Sequence, residues 1–67
     1  MWKYTATFRY DLVTGLGEKR EETCVVNGDS MLDCIELYRV QIRDAIRRGD
    51  VVLNSRLVTL KRYNVVL

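Results

Sequence analysis

The chain has 67 residues, 48% hydrophobic and 30% charged, with a formal net charge of +2, two Cys and no His. That length gives one domain, residues 1–67, with a thin core. Structural zinc takes four Cys or His ligands and a membrane helix needs about 20 apolar residues, and the chain offers neither, so no metal, cofactor or membrane span is expected.

The first element is plain. In "WKYTATFRYDLV", Trp2, Tyr4, Ala6, Phe8, Tyr10 and Leu12 alternate with Lys3, Thr5, Thr7, Arg9 and Asp11, the period of a half-buried strand. "TGLGEK" follows as a turn in which Gly15 and Gly17 permit positive φ, and "REETCVVN" returns as the second strand of a hairpin. Gly15 and Gly17 do not form a phosphate loop, because no third glycine, no lysine-serine pair and no helix start follow them.

Ser30 in "NGDSMLDC" is an N-cap, with Asp33 three residues on approximating a capping box and Asp29 and Asp33 favourably placed against the helix dipole. The pattern predicts a helix from about Ser30 to Arg48, stopped by Gly49. At roughly 100° per residue, Met31, Cys34, Ile35, Tyr38, Ile42, Ala45 and Ile46 fall in one arc about 120° wide, which is the expected core stripe. Beyond it, "VVLNSRLVTLKRYNVVL" lacks Gly and Pro. It reads as a loop or short strand over Val51 to Ser55, then a long strand from about Arg56 to Val66.

That last strand has no clean parity. Val58, Leu60 and Val66 share one with Arg56, Arg62 and Asn64, while Leu57, Tyr63, Val65 and Leu67 share the other with Thr59 and Lys61. A strand of this kind is expected to meet something on both sides. The whole is an α+β domain of order β-β-α-β, an N-terminal hairpin plus a C-terminal strand in an antiparallel or mixed sheet, with one helix packed on one face. The last strand is expected beside the first, in spatial order 2-1-3. The other sheet face, with Thr5, Thr7 and part of the last strand, is either wet or buried against a second copy.

The opening "MWKYTATFRY" lacks the apolar core of a signal peptide, so a reducing, cytoplasmic setting is expected, with Cys24 and Cys34 unlinked. Catalysis has little support. Without His the base would be a carboxylate, a Lys or a thiolate, yet Cys34 lies on the helix stripe and adjacent strand residues Glu21 and Glu22 point to opposite faces. Trp2, Tyr4, Phe8 and Tyr10 could form a base-stacking platform, but they must cover the helix, so they are assigned to the core with only Trp2 at its fraying end exposed. Arg48-Gly49-Asp50 is a helix-ending glycine between common charged residues.

The charge is distributed unevenly, summing to zero over residues 1–18, −3 over residues 19–37 and +5 over residues 38–67, a pattern that hints at an anionic partner. On the helix, Arg39, Arg43 and Arg47 lie about 80°, 120° and 160° from Met31, a stripe at the margin of the apolar face. Some of that charge serves the helix, through the dipole and through Glu36 with Arg39 and Asp44 with Arg48. Leu37 and Val40 add exposed apolar residues, and of Lys61 and Arg62 only one can share the stripe's side of the sheet. Arginine beside apolar residues is the composition of a protein contact.

The β-β-α-β layout resembles that of small accessory proteins of phages and prophages, which commonly act by binding; the resemblance covers architecture and no motif. It implies an inhibitor or modulator of a larger partner. The expected function is therefore a non-enzymatic protein-binding module, self-associating as a homodimer, with Arg39, Arg43, Arg47, Leu37, Val40, Lys61 and Arg62 as partner-binding residues. The alternative is a nucleic-acid or nucleotide-phosphate binder that uses the arginine stripe.

Overall fold

The computed structural model describes residues 1–66 and has strands β1 (Trp2–Val13), β2 (Lys19–Gly28) and β3 (Val51–Asn64) and one helix, α1 (Met31–Arg47). The strands form one sheet of order β2-β1-β3, with both outer strands antiparallel to β1. This is the β-β-α-β domain and the strand order that the sequence predicts. The alternation of β1 puts Ala6, Phe8 and Leu12 in the core and its polar residues on the opposite face.

The hairpin closes where the Thr14 N–H donates to the Glu18 carbonyl (2.8 Å) and the Gly17 N–H to the Thr14 carbonyl (2.9 Å). Gly17 has φ +84°, a conformation that side chains with a Cβ resist. From the turn the register runs without interruption, pairing Phe8 with Cys24 and Ala6 with Val26.

At the start of α1 the Ser30 side chain accepts a hydrogen bond from the Asp33 N–H at 3.1 Å. The expected box closes one residue early, since Asp33 accepts from the Asp29 N–H (3.3 Å). The helix leaves β2 at close range: a Cβ on Gly28 would stand 2.8 Å from the Asp33 Cβ and 3.1 Å from the Cys34 nitrogen. It ends in paired bonds from Gly49 N–H to the Ile46 carbonyl (3.0 Å) and Asp50 N–H to the Ala45 carbonyl (3.1 Å), a Schellman motif around the positive φ of Gly49. Glu36 pairs with Arg39 at 3.5 Å as expected, but Arg48 pairs with Asp50 at 3.7 Å rather than with Asp44, because Arg48 is the C-cap and the chain turns Asp50 back beneath it.

The core gathers Ala6, Phe8, Val26, Cys34 and Tyr38. The Tyr38 ring stacks on Phe8 with centroids 4.2 Å apart, and its hydroxyl bonds the Ser55 Oγ at 2.7 Å, so one side chain ties α1 to both β1 and β3. Tyr4 and Tyr10 pack against this cluster while Trp2 is 48% exposed. The helix stripe is narrower than its periodicity predicts: Cys34, Tyr38 and Ala45 are buried, but Met31 is 42% and Ile46 55% exposed. The helix is rolled toward β2, where the short Gly28 lets it approach, and Met31 and Ile46 are turned to the β3 side.

β3 is one strand from Val51, not a loop followed by a strand, and it ends at Asn64 rather than Val66. Past that end the Val65 N–H still donates to the Met1 carbonyl at 2.8 Å; the expectation for Leu67 lies outside the described residues. Two irregularities break its register with β1, between Thr7 and Phe8 and between Arg9 and Asp11. The first leaves Val58 as an extra residue and the second sets Asn54 and Ser55 together against Tyr10, one extra residue at each, and Asn54 takes φ +56°. Each extra residue reverses the parity. Val52, Leu57, Leu60 and Arg62 thus fall opposite the helix-facing residues Leu12, Phe8, Ala6 and Tyr4, although their spacing is not even.

The molecule is long and thin, 48 × 19 × 15 Å. Its accessible surface of 4904 Å² exceeds the roughly 4,400 Å² expected of a compact monomer of this mass.

Candidate functional site

Position on the sheet decides what each outer strand can offer. β2 lies under the helix and buries Val26, whereas every residue of β3 except Val52 is exposed. Between α1 and β3 runs an open cleft of about 310 Å³, lined by Phe8, Ile35, Tyr38, Arg39, Ile42, Ser55, Arg56 and Leu57. Its α1 wall is Ile35, Tyr38, Arg39 and Ile42, and helical spacing puts Met31 and Ile46 on the same side of α1 beyond its two ends. Its β3 wall supplies Leu57, and Leu60, opposite Ala6, continues the same side of β3; the two are 38% and 39% exposed.

The cleft is apolar at its floor and cationic at its margin. Arg39 lines it, and Arg43 stands one turn further along α1 on the same flank. Arg62, on the helix-facing side of β3, lays its guanidinium over the Trp2 ring, 4.3 Å from the centroid. Arg56 contributes to the wall, but its guanidinium is held by Glu21 (3.3 Å) and by the Asn54 carbonyl (2.9 Å). Among the described residues no acidic one lines this cleft.

The seven residues singled out in the sequence do not form one patch. Arg39 lines the cleft, whereas Arg43 lies one turn further along α1 and Arg62 further along the helix-facing side of β3. Arg47 lies further round α1 toward solvent, and Lys61 pairs with Thr5 on the opposite face of the sheet. Val40 is exposed on the outer side of α1, and Leu37 lies at a separate depression with Asn27, Gly28, Asp29, Asp33 and Glu36. Sequence reasoning missed Met31, Ile46, Leu57 and Leu60 as surface residues because it placed the two helical ones in the core, whereas Ile35 and Ile42 do pack against the core as expected while also lining the cleft. The unequal apolar spacing in β3 was a signal of its bulges.

The bare face of the sheet is mostly polar. Glu21 joins Arg9 (2.9 Å) and Arg56 (3.3 Å) across three strands, Thr5 donates to Asn27 at 2.7 Å and Lys3 pairs with Asp29. Exposed Val25, Val51, Leu53 and Tyr63 interrupt it. Both thiols are free. Burial pushes the Cys24 thiol up, and burial with nearby Asp33 pushes up Cys34, so both stay protonated at neutral pH and are weak nucleophiles. Among the described residues no cluster of three His, Cys, Asp or Glu could hold a metal, and no helix is long and apolar enough to cross a membrane.

No family model, curated protein or solved structure matches this chain.

Proposed function

We propose that this chain works by binding protein, as a non-enzymatic module that associates with a second copy and modulates a larger partner. One observation carries the reading: β3 is exposed on both of its sides. One side opens the apolar cleft beside α1, which suits a partner's side chains. The other belongs to the bare sheet face, where Val25, Leu53 and Tyr63 offer a second copy some apolar contact among polar groups. A small domain gains stability from such association.

A second reading is anion binding. Arg43 and Arg47 make no ion pair among the described residues, so they are available to phosphate, although Leu57 and Leu60 would contribute nothing to that contact. Two measurements separate the readings. Light scattering at about 100 µM, a concentration at which even weak dimers populate, should report a dimer. Capture of partners from cell extract with and without nuclease should retain protein in both cases. A strict monomer that retains only nuclease-sensitive material, with affinity falling steeply with salt, would overturn the proposal.

A further inference from the structure

We infer that the cleft between α1 and β3 docks an amphipathic helix whose apolar face is flanked by acidic residues, supplied by the larger partner. The inference rests on the protein-binding reading and specifies its occupant.

Shape selects a helix over a strand. An added strand would hydrogen-bond to the outer edge of β3, but bulges at Val58 and at Asn54–Ser55 interrupt that edge, and the positive φ of Asn54 bends it. The regular remainder carries Lys61 and Arg62. Bulges and basic side chains are the devices that keep strands from adding to an edge. A helix satisfies its own backbone hydrogen bonds and needs only side-chain contact. The cleft itself spans Ile35 to Ile42, about 10 Å at 1.5 Å per residue or two turns, and exposed Met31 and Ile46 extend the same side of α1 to about 22 Å, so a docked helix has contact over up to four turns.

Charge selects the flanks. Arg39 lines the cleft, Arg43 follows one turn along α1 and Arg62 lies further along the helix-facing side of β3, while among the described residues no acidic residue lines the cleft. Arg39 is engaged by Glu36 at 3.5 Å, both side chains being well exposed, and such surface pairs exchange readily for a better-placed carboxylate. A second copy fits less well. The outward face of its own helix mixes Asp33 and Glu36 with Arg43 and Arg47 and carries only scattered apolar residues.

The test uses the full chain and a synthetic helical peptide of about 18 residues, five turns, with a Leu face and Glu flanks, alongside the same peptide with Lys in place of Glu. Fluorescence anisotropy should show the Glu peptide binding at least about tenfold more tightly than the Lys peptide. NMR shifts should centre on Ile35, Ile42, Leu57 and Leu60. Leu57→Ser with Leu60→Ser should weaken binding by about tenfold or more, and Arg39→Glu with Arg43→Glu should reverse the preference between peptides, with circular dichroism verifying that both variants fold. Equal binding of the two peptides, shifts outside the cleft, or an unaffected double Ser variant would overturn the inference. So would concentration-dependent shifts of the same residues without peptide, which would give the cleft to a second copy. In that case, or if a protein partner docks elsewhere, the protein-binding reading survives; nuclease-sensitive capture alone removes the reading itself.

Discussion

β2 and β3 flank the same central strand, yet they have opposite fates. β2 lies under α1, with Val26 buried and Gly28 against the helix, whereas β3 buries nothing fully despite being the longer strand. Sequence hydrophobicity does not explain this, since β3 is the richer in Val and Leu. Geometry does. A helix about 10 Å across covers roughly two strands spaced about 4.8 Å apart, so one helix on three strands leaves one strand over. Gly28 lets α1 approach β2 closely, and the strand left over is β3. An apolar strand without a covering layer leaves hydrophobic side chains exposed, the feature on which the proposed partner contact rests.

The sharpest way to break this comparison is Tyr38→Ala, because Tyr38 ties α1 to both β1 and β3. Losing the Phe8 stack and leaving a cavity should cost about 3–5 kcal/mol, most of the stability of a domain in the usual range of about 5–15 kcal/mol. Chemical denaturation followed by circular dichroism measures it. Tyr38→Phe, which loses only the bond to Ser55, should cost about 1 kcal/mol. An equal cost for the two would mean that the β3 tether, not the stack, holds the helix.

Next in size is the contrast between Gly28→Ala and its absence of any counterpart on the β3 side. The new methyl would meet Asp33 and the Cys34 backbone, which should cost about 1–3 kcal/mol. If the variant melts with the parent, α1 is free to roll toward β3 and its placement is not fixed by Gly28.

Paired truncations sharpen the comparison directly. Val26→Ala under the helix should cost about 2 kcal/mol and Leu60→Ala beside the cleft less than about 1 kcal/mol, in proportion to the area each removes from contact. The order should reverse in partner binding, where Leu60→Ala does harm and Val26→Ala does none. Changing Arg39, Arg43 and Arg47 together to Gln should shift stability by no more than about 0.5 kcal/mol, while partner affinity falls by about 2 kcal/mol. An early melt with normal binding would return the stripe to the fold.

The smallest effect is alkaline. Cys34, fully buried, has its thiol raised above the ordinary 9.0 by burial first and Asp33 second. The folded state therefore favours the protonated thiol, and its contribution is complete below the unfolded value and fades as pH rises through the folded one. The melting temperature should decline above about pH 9, and Cys34→Ala should flatten part of that decline at some loss of packing. A parent whose melting temperature is level through that range would show that the thiol stays unionised or that its ionisation does not couple to folding.

The sequence by itself determined the local structure. The alternation of Trp2 to Leu12, the Ser30 cap and the Gly49 stop each depend on neighbours within a few residues, so chain order fixed the hairpin, the helix and the β-β-α-β class. Charge was equally legible, and so was the arginine stripe from Arg39 to Arg47. Periodicity places Met31 and Ile46 on the apolar side of α1, but it cannot say how far the helix rolls. That is set by contact with Gly28 from another strand. Nor does residue parity along β3 reveal its faces, because bulges arise from pairing with β1 and each one inverts the parity beyond it. Only the tertiary structure decided which apolar residues are core and which line a cleft, since burial is a property of what the rest of the chain covers and one helix cannot cover three strands.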